Sequence, residues 1–282
     1  MRIRASVAVV TGALALTAFA VPAAQAADAP GVGALAQSVQ QIAGKSPADD
    51  SSGDTKISNV VVNGGKAVVF GTTTKRTFAV TFTATDNSGI DWATAVLYHG
   101  TDIDHSDNGA VPNEGNRIKC TAAGSTAANC KGTFTIDASV DGRLLNAHAG
   151  TWKVWAIAQA KDADYIQKDN AKSFSVQRYS KLTVNASPEP VKKGNTITVT
   201  GKLTRANWES GKYAGYGSQP VKLQFKKAGT STWTTVKTIK TNSTGNLSTT
   251  VKASTDGSFR YSFAGTSATS AATATADYVD VR

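Results

Sequence analysis

From residue 56 onward the chain returns again and again to a two-residue apolar period, in short runs separated by turn residues. That period buries one face of an extended strand, and no helix can use it. Thr77–Ala84 sets Phe78, Val80, Phe82 and Ala84 on one face. Residues 151–158 do the same with Trp152, Val154, Ala156 and Ala158, and residues 195–203 with Ile197, Val199, Gly201 and Leu203. Ile57–Val62, the turn Asn63-Gly64-Gly65 and Lys66–Phe70 read as a hairpin. Further strands are expected over 92–98, 132–136, 173–178, 181–186, 221–225, 233–239, 247–251, 259–263 and 278–281. Pro188 and Pro190 close the strand ending at Ala186. Trp152 and Trp155 lie three apart, so they face opposite sides of one strand, one in the core and one partly exposed. After residue 55 there is no long amphipathic helical pattern.

Short, evenly punctuated strands over this length argue an all-β chain of two Greek-key sandwiches of the immunoglobulin (Ig) type, over 56–178 and 179–282. They meet at Tyr179-Ser180 with almost no linker. The remaining residues prepare export. Arg2 and Arg4, the apolar run Ala5–Val21 and Ala24-Gln25-Ala26 form a signal peptide over 1–26. The run is too short to span a bilayer well, so no transmembrane anchor is expected and the product is read as secreted and extracellular. Residues 27–55 read as a flexible linker, with one short helix around Leu35, Val39 and Ile42 and then a polar stretch. Cys120 and Cys130 are the sole cysteines, and in an exported chain they form one disulfide. On the loop-entropy account it is worth about 2–3 kcal/mol.

The charge is lopsided. Residues 179–282 hold 14 Lys/Arg against 5 Asp/Glu, which is nearly all of the formal +10. Two readings follow: attraction to an anionic surface such as a cell-wall polymer, or lysines that keep a sandwich soluble and its edges protected. Nucleic acid is not an expected partner, because no helix-turn-helix, RNP-like or Arg-rich element is present.

Catalytic motifs are missing: no Gly-x-Ser-x-Gly elbow, no His-Glu-x-x-His, no phosphate loop. His99, His105 and His148 read as loop histidines with no nucleophile beside them, and Glu114, Glu189 and Glu209 form no hydrolytic pair. A secreted enzyme or enzyme inhibitor therefore remains only as an alternative. No cofactor is required. The best chemical candidate is Gly100–Gly109, where Asp102, Asp104, Asp107 and Asn108 offer oxygen donors to a hard cation such as calcium. An EF-hand register started at Asp104 fails, because position 12 is Gly115 and Glu114 falls one residue early. An irregular sandwich-loop site would draw on Asp86 and Asp91 from the preceding turn, with Asp162 and Asp164 able to join. The alternative is a set of solvated Asx turns.

A second candidate is the loop 205–218, where Trp208, Tyr213 and Tyr216 offer flat rings and Arg205 and Lys212 add charge. Such a set stacks on carbohydrate or anchors another protein, or else its rings fold back and cap a core.

Residues 181–194, then 197–204, 219–225, 233–238, 244–247 and 259–265 resemble the Ig-like domains of secreted actinobacterial proteins. The resemblance covers about 180–282. Residues 85–90 and 149–155 carry it more loosely into the preceding segment. It implies an extracellular, non-catalytic module, and so a binding or structural protein at the cell envelope or in the medium.

Overall fold

The computed structural model describes residues 49–139 and 144–282. The signal peptide and the expected short helix lie outside the described residues.

The chain first lays down β1 (Asp50–Ser52), β2 (Lys56–Val62), β3 (Val68–Phe70), β4 (Lys75–Thr85) and β5 (Ile90–Gly100). Next come β6 (Ser106–Ala110), β7 (Lys119–Ala122), β8 (Ala127–Asp137), β9 (Gly150–Ala160) and β10 (Tyr165–Arg178). One sheet has the order β1-β10-β9-β5-β6, with β3 added parallel to β10; the other is β2-β4-β8-β7. Between them lie Phe70, Phe82, Leu97, Phe134 and Trp152, all essentially inaccessible to solvent. The Cys120–Cys130 disulfide ties β7 to β8 between directly opposed residues.

A second sandwich follows. Its strands are β11 (Ser180–Leu182), β12 (Asn185–Ser187), β13 (Thr196–Asn207), β14 (Lys212–Gly215) and β15 (Pro220–Lys227). They continue with β16 (Thr234–Lys240), β17 (Asn246–Lys252), β18 (Gly257–Phe263), β19 (Ala272–Thr273) and β20 (Asp277–Val279). The long β13 is central to one sheet and pairs with β11, β12, β14 and β17; the other runs β16-β15-β18-β19, with β20 also on β18. Ile197, Val199, Leu203, Val221, Leu223 and Tyr261 fill the space between. Gly201 is required there, because a Cβ would collide with the Thr183 carbonyl and the Tyr261 ring. That ring donates its hydroxyl to Val199 O at 2.8 Å, and burial pushes its phenol up to about 12. Two facing, mainly antiparallel sheets with these crossovers make the chain an Ig-like all-β fold.

Three expectations need correction. The first hairpin does not form. β2 pairs antiparallel with β4, whereas β3 pairs parallel with β10 in the opposite sheet. Gly64 and Gly65 adopt left-handed φ of 62° and 80°, and Asn63 holds the carbonyls of Lys66 and Ala67. The turn therefore steps the chain from one layer to the other instead of reversing it. Second, Trp155 is as buried as Trp152. It packs with Trp92, Val96, Tyr98, Ile103 and Ile157 in a small cluster separate from the main core, so the central strands are covered on both faces. Third, the end of the supposed linker is ordered. β1 pairs with β10, Tyr165 donates to Asp50 Oδ2 at 2.6 Å, and Asp49 accepts from Asp169 N at 2.7 Å. Its polar residues are held by hydrogen bonds to an open sheet edge, which needs no apolar burial.

Candidate functional site

Three separated segments bring carboxylates together at one end of the first sandwich. Asp54 follows β1, Asp86 follows β4, and Asp164 precedes β10; their carboxylate oxygens lie within 4.8 Å of one another. Asp86 is almost fully buried and accepts from Thr55 Oγ1 at 2.7 Å, Ser88 N at 2.8 Å and Ser88 Oγ at 2.7 Å. Burial by itself would raise its pKa; the Ser88 and Thr55 hydrogen bonds outweigh that and hold it below the ordinary carboxylate value. Asp164 takes the N–H of Asp54 at 3.2 Å, and Asn87 donates to Asp54 Oδ2 at 3.3 Å. Gly53, with φ of 75°, lets the chain pass here, since a Cβ would strike the Asp164 carboxylate. Chemically this is an oxygen-only, anionic set of the kind hard cations accept. Asp86 was legible in the sequence, and Asp164 as a possible addition. Asp54 was missed because it sat in a segment read as linker; its signal is only another Asp in a polar run.

The 102–108 segment does not join that set. Asp102 accepts from the His105 backbone at 2.8 Å and contacts its ring at 2.7 Å; Asp107 contacts His99 Nδ1 at 2.6 Å; Asn108 contacts His148 Nδ1 at 3.0 Å. Asp104 is exposed, and Asp91 lies exposed on β5. Residues 106–110 are strand, and a bulge sets Asp107 and Asn108 both near His99. Asp102 and Asp107 therefore serve different partners, Asp104 and Asp91 face solvent, and among the described residues the expected calcium loop does not converge. Ile103 is buried in the small cluster beside Trp155, anchored by its N–H to Asp169 Oδ1 at 3.0 Å. The histidines are not uniformly loop residues either. His105 is exposed, but His99 lies on β5, and His148 is buried in a 3-10 turn. The glutamates are engaged separately, Glu114 by Thr133 and Glu209 by Asn146.

The expected ring-bearing loop is a hairpin of β13 and β14, and its tip belongs to the junction between the sandwiches. Trp208 is wholly buried, in the core of the first sandwich, edge-on to Phe70 at 6.2 Å. Asn146 clamps the tip: it accepts from Trp208 N at 3.1 Å and donates to Asn207 Oδ1 at 2.9 Å and Glu209 Oε2 at 2.8 Å. Arg178, nearly buried, donates its Nε to Ala206 O at 2.5 Å; burial and then Arg205 lower its pKa to about 10. Trp208 is therefore withdrawn from any partner. Tyr213 and Tyr216 are half-buried and already face cations of their own chain, with Lys181 at 3.8 Å and Arg205 at 3.9 Å from their ring centres. Lys212 alone of the five is exposed.

No family model and no curated protein matches the chain. Solved structures are similar to it at low identity. Red sea bream transglutaminase is 15% identical with a TM-score of 0.29, over 86% of this chain and 33% of that one, so the chain spans about a third of that protein. The D00-D0 domain of intimin is 13% identical, TM-score 0.25, over 80% of this chain and 98% of that one. The mouse nectin-like molecule 4 ectodomain is 12% identical, TM-score 0.24, over 83% and 66%. At these values the assignment of an Ig-like fold rests on the strand order, and nothing about activity follows.

Proposed function

We propose that the chain is a secreted, non-catalytic binding or structural protein that acts at the cell envelope or in the extracellular medium, through attraction to an anionic polymer. One observation carries this reading. Residues 179–282 hold 14 Lys/Arg and 5 Asp/Glu, and among the described residues Arg282 is the one of these cations with a carboxylate within ion-pair distance. The remaining positive charge is available to an outside anion. The disulfide fits an oxidising compartment. Sedimentation of the purified chain with isolated Gram-positive cell walls tests it. Retention at low salt that is lost at high salt is expected. No retention at any salt would overturn it.

A second reading, calcium binding, is favoured by the convergence of Asp54, Asp86 and Asp164. Millimolar calcium is then expected to raise the melting temperature by several degrees, through preferential binding to the folded state. Asp54→Asn should raise the calcium-free melting temperature by relieving repulsion and abolish most of the calcium shift. An unchanged melting temperature of the parent protein across millimolar calcium would remove this reading.

A further inference from the structure

The outward face of the β16-β15-β18 sheet carries an organised set of side chains that neither sandwich core nor junction uses. On β15, Val221 and Leu223 point into the core and Lys222, Gln224 and Lys226 point out; on β18, Phe259, Tyr261 and Phe263 point in and Ser258, Arg260 and Ser262 point out. The register sets Lys222 beside Thr238 and Ser262, Gln224 beside Arg260, and Lys226 beside Ser258, which in turn neighbours Tyr278 on β20. Gln224 Oε1 accepts from Arg260 Nε at 2.8 Å, and the guanidinium so held lies 3.9 Å from the Trp233 ring centre. Lys226 Nζ is 5.2 Å from the same ring. Trp233 is half-buried and Tyr278 is 50% exposed. Between residues 220 and 263 there are seven Lys/Arg and a single acid, Asp256, whose carboxylate accepts the N–H of Val281. Among the described residues, none of the seven pairs with a carboxylate.

We propose that this face, centred on Trp233, Arg260 and Lys226, binds an acidic polysaccharide; the proposal rests on the envelope-binding reading and names the site that performs it. The charge fixes the sign of the ligand. The chemistry around the charge fixes its class. Hydroxyls of Thr238, Ser258 and Ser262 and the amide of Gln224 suit sugar hydroxyls, and the Arg260 guanidinium, stacked 3.9 Å over the Trp233 ring centre with Lys226 Nζ 5.2 Å from it, holds fixed positive charge for carboxylates at the rim of a sugar ring. A flat sheet accepts an extended chain that needs no deep pocket. Single-stranded nucleic acid would require successive stacking platforms. Here the face of Trp233 is already covered by the Arg260 guanidinium at 3.9 Å.

Calorimetric titration of the purified full chain with polygalacturonate at low salt provides the test, with neutral dextran and oligothymidylate as comparison probes. Polygalacturonate should bind and dextran should not. Trp233→Ala, which leaves net charge unchanged, should weaken binding about tenfold. Lys222→Gln with Lys226→Gln should weaken it comparably and flatten its salt dependence. Lys119→Gln with Lys131→Gln, on the other sandwich, makes the same change in charge and should leave binding within about twofold. Melting temperatures within a few degrees of the parent certify that each variant is folded. Equal weakening by both double variants, or no effect of Trp233→Ala, would reduce the face to undirected charge and overturn the proposal. Tighter binding of oligothymidylate than of polygalacturonate would overturn it in favour of nucleic acid. Wall retention that survives all face variants would sink this site while leaving the envelope reading intact. Loss of wall retention by the parent protein would remove the envelope reading itself.

Discussion

His148 sits where a charge would be costly. Its Nδ1 is approached by Leu145 N at 3.0 Å and by Asn108 Nδ2 at 3.0 Å, so that nitrogen accepts and the ring is neutral. Burial lowers its pKa below the ordinary 6.5, Asp107 and Glu209 pulling the other way and His99 adding to the shift. The unfolded chain therefore binds the proton more readily than the folded one. Stability is in full above about pH 6.5 and falls as pH drops below it. Melting temperature is expected to decline as pH falls below about 6.5, and His148→Gln should remove most of that decline at the cost of a lower melting temperature at neutral pH. The exposed His105, whose pKa its Asp102 partner raises, works in the opposite sense and only weakly. Glu114, Asp137 and Asp86 have lowered carboxyl pKa values and so act in a more acidic window. A decline that persists in the Gln variant would assign it elsewhere. Nothing in the sequence separated His148 from His99 and His105, since burial is a property of what packs over a residue.

Strand positions were the most legible level, because a two-residue period reports burial of one face directly. Phe78, Val80 and Phe82 on β4, and Ile197, Val199 and Leu203 on β13, all point inward as the alternation requires. Errors arose where the period was absent or misled. Ser106–Ala110 and Lys119–Ala122 are strands without an apolar period, held by pairing with β5 and β8, so they read as loops. Val60–Val62 and Val68–Phe70 have strand character, yet local turn chemistry cannot say whether a glycine pair reverses a chain within one sheet or carries it to the other. Trp92–Tyr98 is apolar at both parities, a sign of burial on two faces that would have placed Trp155 correctly.

At the scale of the molecule the two sandwiches share a buried joint. Trp208 leaves the β13–β14 hairpin and completes the core around Phe70, Asn146 grips the hairpin tip, and Tyr179 N donates to Phe70 O at 2.7 Å. Removing an indole from such a site costs about 3–5 kcal/mol. Calorimetry of the parent chain should therefore show the sandwiches melting together. Trp208→Ala should lower the melting temperature and split the trace, the first sandwich going first. Trp233→Ala, at the sheet surface, should leave the trace near that of the parent. A single undisplaced transition in Trp208→Ala would show that the joint contributes little.

The sequence by itself determined the all-β character, the inward faces of the long strands, the cysteine pair and the seat of the positive charge, because each depends on local periodicity, counting or composition. Tertiary structure alone decided which acids meet, where Trp208 goes and which cations line one face. Asp54, Asp86 and Asp164 are remote in the chain and adjacent only because β1 and β4 end, and β10 begins, at the same pole of one sandwich. An aromatic residue in a loop gains its role from the surface that receives it, and for Trp208 that surface is the other sandwich's core.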